Sequence, residues 1–119
     1  MKKVLFFLAI VFAMLFSGCG EVYEDVYFTI SASTEKVSYM YVDACVRQKK
    51  DGILIDKVSG VFSTPYQSGS FRLKLGQVFV IQGNDYNIIP IKTTLKVYKA
   101  GSVVKEIIID RGNFGFQVD

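Results

Sequence analysis

The chain has 119 residues, of which 50% are hydrophobic, 14% aromatic and 21% charged, and its mean hydropathy is positive. That length holds one domain of ordinary size. The composition is too apolar for a disordered chain, and two cysteines are too few to staple a miniprotein. There is no histidine, so the commonest general base and the commonest transition-metal ligand are both missing.

Residues 1–18 have the layout of a secretory signal. Lys2 and Lys3 form a positive start, and an unbroken apolar run of thirteen residues follows from Val4 to Phe16. As a helix at about 1.5 Å per residue this run spans about 20 Å, short of the ~30 Å hydrocarbon core of a bilayer. It therefore fits the apolar region of a signal peptide better than a stable span. The next residues, Phe16-Ser17-Gly18-Cys19, resemble the lipobox of bacterial lipoproteins, with Phe16 standing where a leucine is usual. The resemblance implies cleavage between Gly18 and Cys19 and acylation of the Cys19 thiol. Cys19 then becomes the first mature residue and holds the chain to a membrane of the bacterial cell envelope. An ordinary signal with an incidental cysteine, or an uncleaved anchor, are the alternatives.

Loss of the signal changes the charge. Removing Lys2 and Lys3 from the 14 basic residues leaves 12 against 11 acidic ones, a net of +1. A mature chain so nearly neutral carries no electrostatic footprint for nucleic acid. Residues 19–25 include Glu21, Glu24 and Asp25 and are expected to form a short acidic tether before a domain over 26–119. With Cys19 lipidated, Cys45 has no partner in its own chain. It lies in the apolar run Tyr41–Val46, and burial is the expected state of such a thiol.

From Val26 onward the pattern alternates. Val26, Phe28 and Ile30 alternate with Tyr27, Thr29 and Ser31, and Met40, Val42, Ala44 and Val46 share one face of the next segment. Lys49-Lys50-Asp51-Gly52 predicts a hairpin turn into a strand from Ile53. Phe71, Leu73 and Leu75 predict a half-buried strand ended by Gly76, with Val78–Gln82 beyond it and a turn at Gly83-Asn84-Asp85. Thr94–Tyr98 and Val103–Ile109 predict a hairpin around Gly101. Arg111-Gly112-Asn113 then turns into a last strand carrying Phe114, Phe116 and Val118. Seven to eight short strands at roughly 8–12-residue spacing are the signature of an all-β sandwich or small barrel.

Two stretches carry a further likeness. Val61-Phe62-Ser63-Thr64-Pro65-Tyr66 followed by Phe71–Gln77, and the ending Leu95–Glu106 with its Gly101 turn, resemble the soluble domain of the mycobacterial membrane-protein-small (MmpS) family. That resemblance implies an immunoglobulin- or transthyretin-like β-sandwich and an accessory role beside an envelope export machine. It brings no catalytic residues.

Chemistry is hard to place. A serine or cysteine nucleophile needs a base, and no spacing suggests a Ser–Lys pair. Asp43, Asp51 and Asp56 are close in sequence, but Asp51 stands in a Gly turn where aspartate serves local hydrogen bonding. Zinc or copper ligation lacks its ligands, and no loop has the oxygen-rich spacing of a calcium site. Neither an enzyme nor a cofactor is therefore expected. Binding surfaces remain. Tyr39 and Tyr41 project from one strand face and suit a protein partner or a sugar ring, and the loop Pro65–Gly69, with Pro65 and Tyr66, is the candidate insertion loop. The expectation is a membrane-anchored, non-enzymatic binding or accessory module for an envelope protein, with no nucleic-acid partner. A lipoprotein inhibitor of a hydrolase, or a phage or plasmid exclusion lipoprotein, is the alternative.

Overall fold

The computed structural model describes residues 22–119. The expected signal segment and Cys19, with the cleavage expected after Gly18, lie outside the described residues. Nine antiparallel strands form two packed sheets: β1 (Tyr23–Ala32), β2 (Tyr39–Gln48), β3 (Leu54–Ser63), β4 (Tyr66–Gln67), β5 (Phe71–Lys74), β6 (Gln77–Asp85), β7 (Thr93–Lys99), β8 (Ser102–Ile109) and β9 (Asn113–Val118). The first sheet runs β4-β1-β7-β8 with β5 also on β1, and the second runs β3-β2-β6-β9. The chain is a small β-sandwich.

The alternation seen in the sequence explains the core. Val26, Phe28 and Ile30 of β1 and Leu95 and Val97 of β7 face Met40, Val42, Ala44 and Val46 of β2 and Phe79 and Ile81 of β6, all at 1% exposure or less. Phe71 of β5 meets Phe79 across the interface with ring centroids 5.2 Å apart. Apart from the small Ala44, each such side chain contributes about 1.5–3 kcal/mol by leaving water, and together they close the space between the sheets.

Four local expectations are corrected. Tyr23, Glu24 and Asp25, read as tether, belong to β1 and pair with Lys74, Leu73 and Arg72 of β5. Leu75 is fully exposed instead of ending the inward row, because the chain turns at Leu75-Gly76 and Gly76 takes φ 84°. Gly83-Asn84-Asp85 is not a turn; β6 continues through it, paired with β2 on one side and, at Gly83 and Asn84, with β9 on the other. Gly83 serves close approach there, since a Cβ would stand 1.9 Å from the Tyr41 carbonyl oxygen. Finally, the strand count exceeds seven to eight because one edge of β1 is covered in two pieces. Tyr66–Gln67 and Phe71–Lys74 cover the two ends of β1. Between them Ser68 serves the Phe28 backbone: its N–H donates to the Phe28 carbonyl and its Oγ accepts from the Phe28 N–H, both at 2.9 Å.

Strand directions sort the connections into two ends. At the proximal end, where β1 begins, lie Val22, the turns after β2, β5 and β7, and Asp119. They are joined by hydrogen bonds from Lys49 N–H to Gly76 O and from Ala100 N–H to Asp25 O. At the distal end lie the loops 33–38, 64–65, 86–92 and 110–112. These are joined by Ser33 N–H to Lys92 O, Thr64 N–H to Ser38 O, Tyr86 N–H to Tyr39 O and Asp85 N–H to Gly112 O.

Candidate functional site

The distal end is built on a buried polar floor. Ser38 and Thr93 are both fully buried, and their hydroxyls lie 2.5 Å apart. The Asn87 amide donates to Ser38 Oγ at 2.9 Å, and its other atom, Oδ1, accepts from the Tyr39 N–H at 2.7 Å. Asn87 N–H donates to Asp85 Oδ1 at 3.0 Å, and the Asn87 amide contacts the same oxygen. Thr64 Oγ1 accepts from the Ser38 N–H at 2.9 Å. Four separate segments are thus tied through two residues, Ser38 and Asn87. Buried donors and acceptors that are all paired rigidify their surroundings, because leaving any one unpaired costs about 1–3 kcal/mol.

Apolar side chains stand above that floor. Ile88 is 97% exposed and Ile89 and Tyr86 63% each, while Tyr39 is 47% exposed. Val37 and Tyr41 add to the same end. Packing among the described residues leaves them uncovered. A rigid floor presenting exposed aromatic and aliphatic side chains is the arrangement that lowers the entropic cost of docking.

Of the residues expected from sequence, Tyr39 and Tyr41 fall in this patch on the outer face of β2. Pro65 lies at the same end, after a cis Thr64–Pro65 bond. Tyr66 does not join them: its ring stacks on Phe62 at a centroid distance of 4.3 Å and lies 5.8 Å from that of Phe28, so it belongs to the core's flank. The loop Pro65–Gly69 is held on β1 by β4 and Ser68 rather than projecting. The loop 86–92 was missed, although Tyr86-Asn87-Ile88-Ile89-Pro90-Ile91 carried the signal: four apolar side chains around a proline that ends any strand.

The acidic residues do not converge. Asp51 accepts from the Ile53 N–H at 3.0 Å and Asp56 from the Lys57 N–H at 2.8 Å, which are turn and local roles. Asp43 sits on β2 with its Oδ1 buried and 4.0 Å from Lys57 Nζ. Among the described residues no three metal-ligating side chains come together. Cys45 is a buried thiol on the outer face of β2, opposite Lys57 and Val80. At the proximal end a shallow recess of about 540 Å³ is lined by Leu73, Lys49, Lys99 and Asp119 among others. Two of its lysines are ion-paired: Lys49 with Asp119, and Lys99 with Glu24 at 3.5 Å.

No protein-family model, curated protein or solved structure matches the chain. Among the described residues no helix is long and apolar enough to cross a membrane.

Proposed function

We propose that this chain is a membrane-anchored bacterial envelope lipoprotein. Its β-sandwich is a non-enzymatic binding module serving an envelope transport or assembly complex. The observation that carries the reading is the distal patch of Tyr39, Tyr86, Ile88 and Ile89, held on the Ser38–Asn87 floor at the end opposite the chain's entry. A domain tethered through Cys19 presents that end away from the bilayer, where another envelope protein with an apolar hollow meets it. Full burial of Ile88 contributes about 1.5–3 kcal/mol, roughly a tenfold to hundredfold change in affinity. The hydrolase-inhibitor alternative gains nothing from the structure, because the loop Pro65–Gly69 is hydrogen-bonded into the first sheet.

The test is photo-crosslinking in intact envelopes from a reactive group at Ile89, with mass spectrometry of the mature chain for acyl chains on Cys19. One reproducible envelope protein should be captured, and Ile88→Asp should reduce its capture at least tenfold while leaving the melting temperature unchanged. Capture that is indifferent to Ile88→Asp removes the tip from the reading, and an unmodified Cys19 thiol removes the anchor.

A further inference from the structure

We infer that the proximal end of the sandwich rests on the phospholipid surface, with Leu75 seated among the headgroups. The inference rests on the reading of Cys19 as the lipidated residue.

Chain length sets the first constraint. Only residues 20–22 separate Cys19 from Tyr23, the first residue of β1. Four residue steps at no more than about 3.6 Å each reach about 14 Å. The acylated residue sits at the bilayer surface, so the start of β1 is confined to within that distance of it. A ten-residue strand is about 33 Å long, so the end that carries Tyr23 is held near the headgroups while the distal tip stands well clear.

Side-chain character is the second constraint. Leu75 occupies a turn, where nothing in the fold calls for an apolar residue, and it is fully exposed; Val22 is 79% and Ile53 57% exposed at the same end. Burying one such side chain is worth about 1.5–3 kcal/mol. That is marginal for a protein free in solution. With Val22 and Ile53 the sum is about 4.5–9 kcal/mol, above the roughly 4 kcal/mol that matches a millimolar local concentration of the surface held by a short tether.

Charge decides the nature of the contact. Lys49 pairs with Asp119, and Lys99 with Glu24. Those two lysines are offset by carboxylates, while Lys50 in the turn after β2 is exposed. The contact therefore joins the apolar Leu75 to lysine stems that lie along the surface with their ammonium groups in water.

The mature, lipidated protein is reconstituted in vesicles of phosphatidylethanolamine and phosphatidylglycerol, with Cys19 acylation checked by mass spectrometry. A fluorophore is attached through Ile53→Cys at the proximal end or Ile88→Cys at the distal end, and its quenching by aqueous iodide is measured. Ile53 is expected to be several-fold less quenched than Ile88, and adding Leu75→Asp should bring the two together. Since Leu75 is fully exposed, this substitution leaves the fold intact. Equal quenching at both positions on acylated protein overturns the contact and leaves the anchor standing. Material with an unmodified Cys19 overturns both.

Discussion

At the distal end, Tyr39, Tyr86 and Ile88 stand on a floor of side chains paired through the buried Ser38 and Thr93; at the proximal end, Leu75 and Ile53 stand on turns tied by backbone hydrogen bonds, with the exposed pairs Lys49–Asp119 and Lys99–Glu24 beside them. Both ends show apolar side chains to solvent, but the means of holding them differ. A buried network fixes geometry because each broken bond leaves a desolvated group behind. An exposed ion pair holds little, because water and salt replace it readily. The distal end is thus suited to a partner of definite shape, and the proximal end to a surface that has none.

The largest expected effect lies beneath the distal patch. Gly83→Ala places a methyl group 1.9 Å from the Tyr41 carbonyl oxygen, and backbone rather than a flexible side chain has to yield. A loss of at least about 3 kcal/mol is expected in urea unfolding, at the upper end of overpacking costs. A loss below about 1 kcal/mol would show that β2 and β6 can part there at little cost.

The next prediction compares the ends directly. Ser38→Ala removes the partner of Thr93 and Asn87 and should cost about 1–3 kcal/mol. Gln77→Ala removes one acceptor, the Oε1 that takes the Lys74 N–H at 3.0 Å, and should cost about 0.5–1.5 kcal/mol. Equal losses would erase the distinction between the two ends.

Smallest is a titration at the proximal end. The hydrogen bond from Lys49, and then its charge, hold the Asp119 carboxyl below the usual carboxylate range. The folded state therefore favours the charged form, so the contribution is present near neutrality and disappears as pH falls through the folded pKa. Carbon-13 titration of Lys49→Ala should show the Asp119 midpoint move upward; an unmoved midpoint would mean that the pair does not form in solution.

Much of the core was legible because period-two alternation leaves one interpretation for Val26, Phe28 and Ile30 and for Phe114, Phe116 and Val118. The hairpin turns at Gly52 and Gly101 were equally plain. Glycine was ambiguous at 83, where a turn and a close strand approach leave the same mark in a sequence. Leu75 misled because alternation cannot say where a strand stops, and Tyr66 because a loop aromatic beside proline can point either way. At the candidate site, Tyr39 and Tyr41 were visible as strand positions. Their union with Ile88 was not, since it depends on the fold bringing Asn87 49 positions along the chain to Ser38.

The gap that Ser68 fills in the edge beside β1 has a consequence for life at high density. An uninterrupted outer strand offers a neighbour a row of unpaired amides on which to zip. Here that row is broken into two- and four-residue pieces, with a serine occupying the join. On the opposite margin, Lys105 shares the inward row with Val97, so a newcomer there meets a charge. Along this sheet, copies crowded side by side therefore find no long open margin on which to zip.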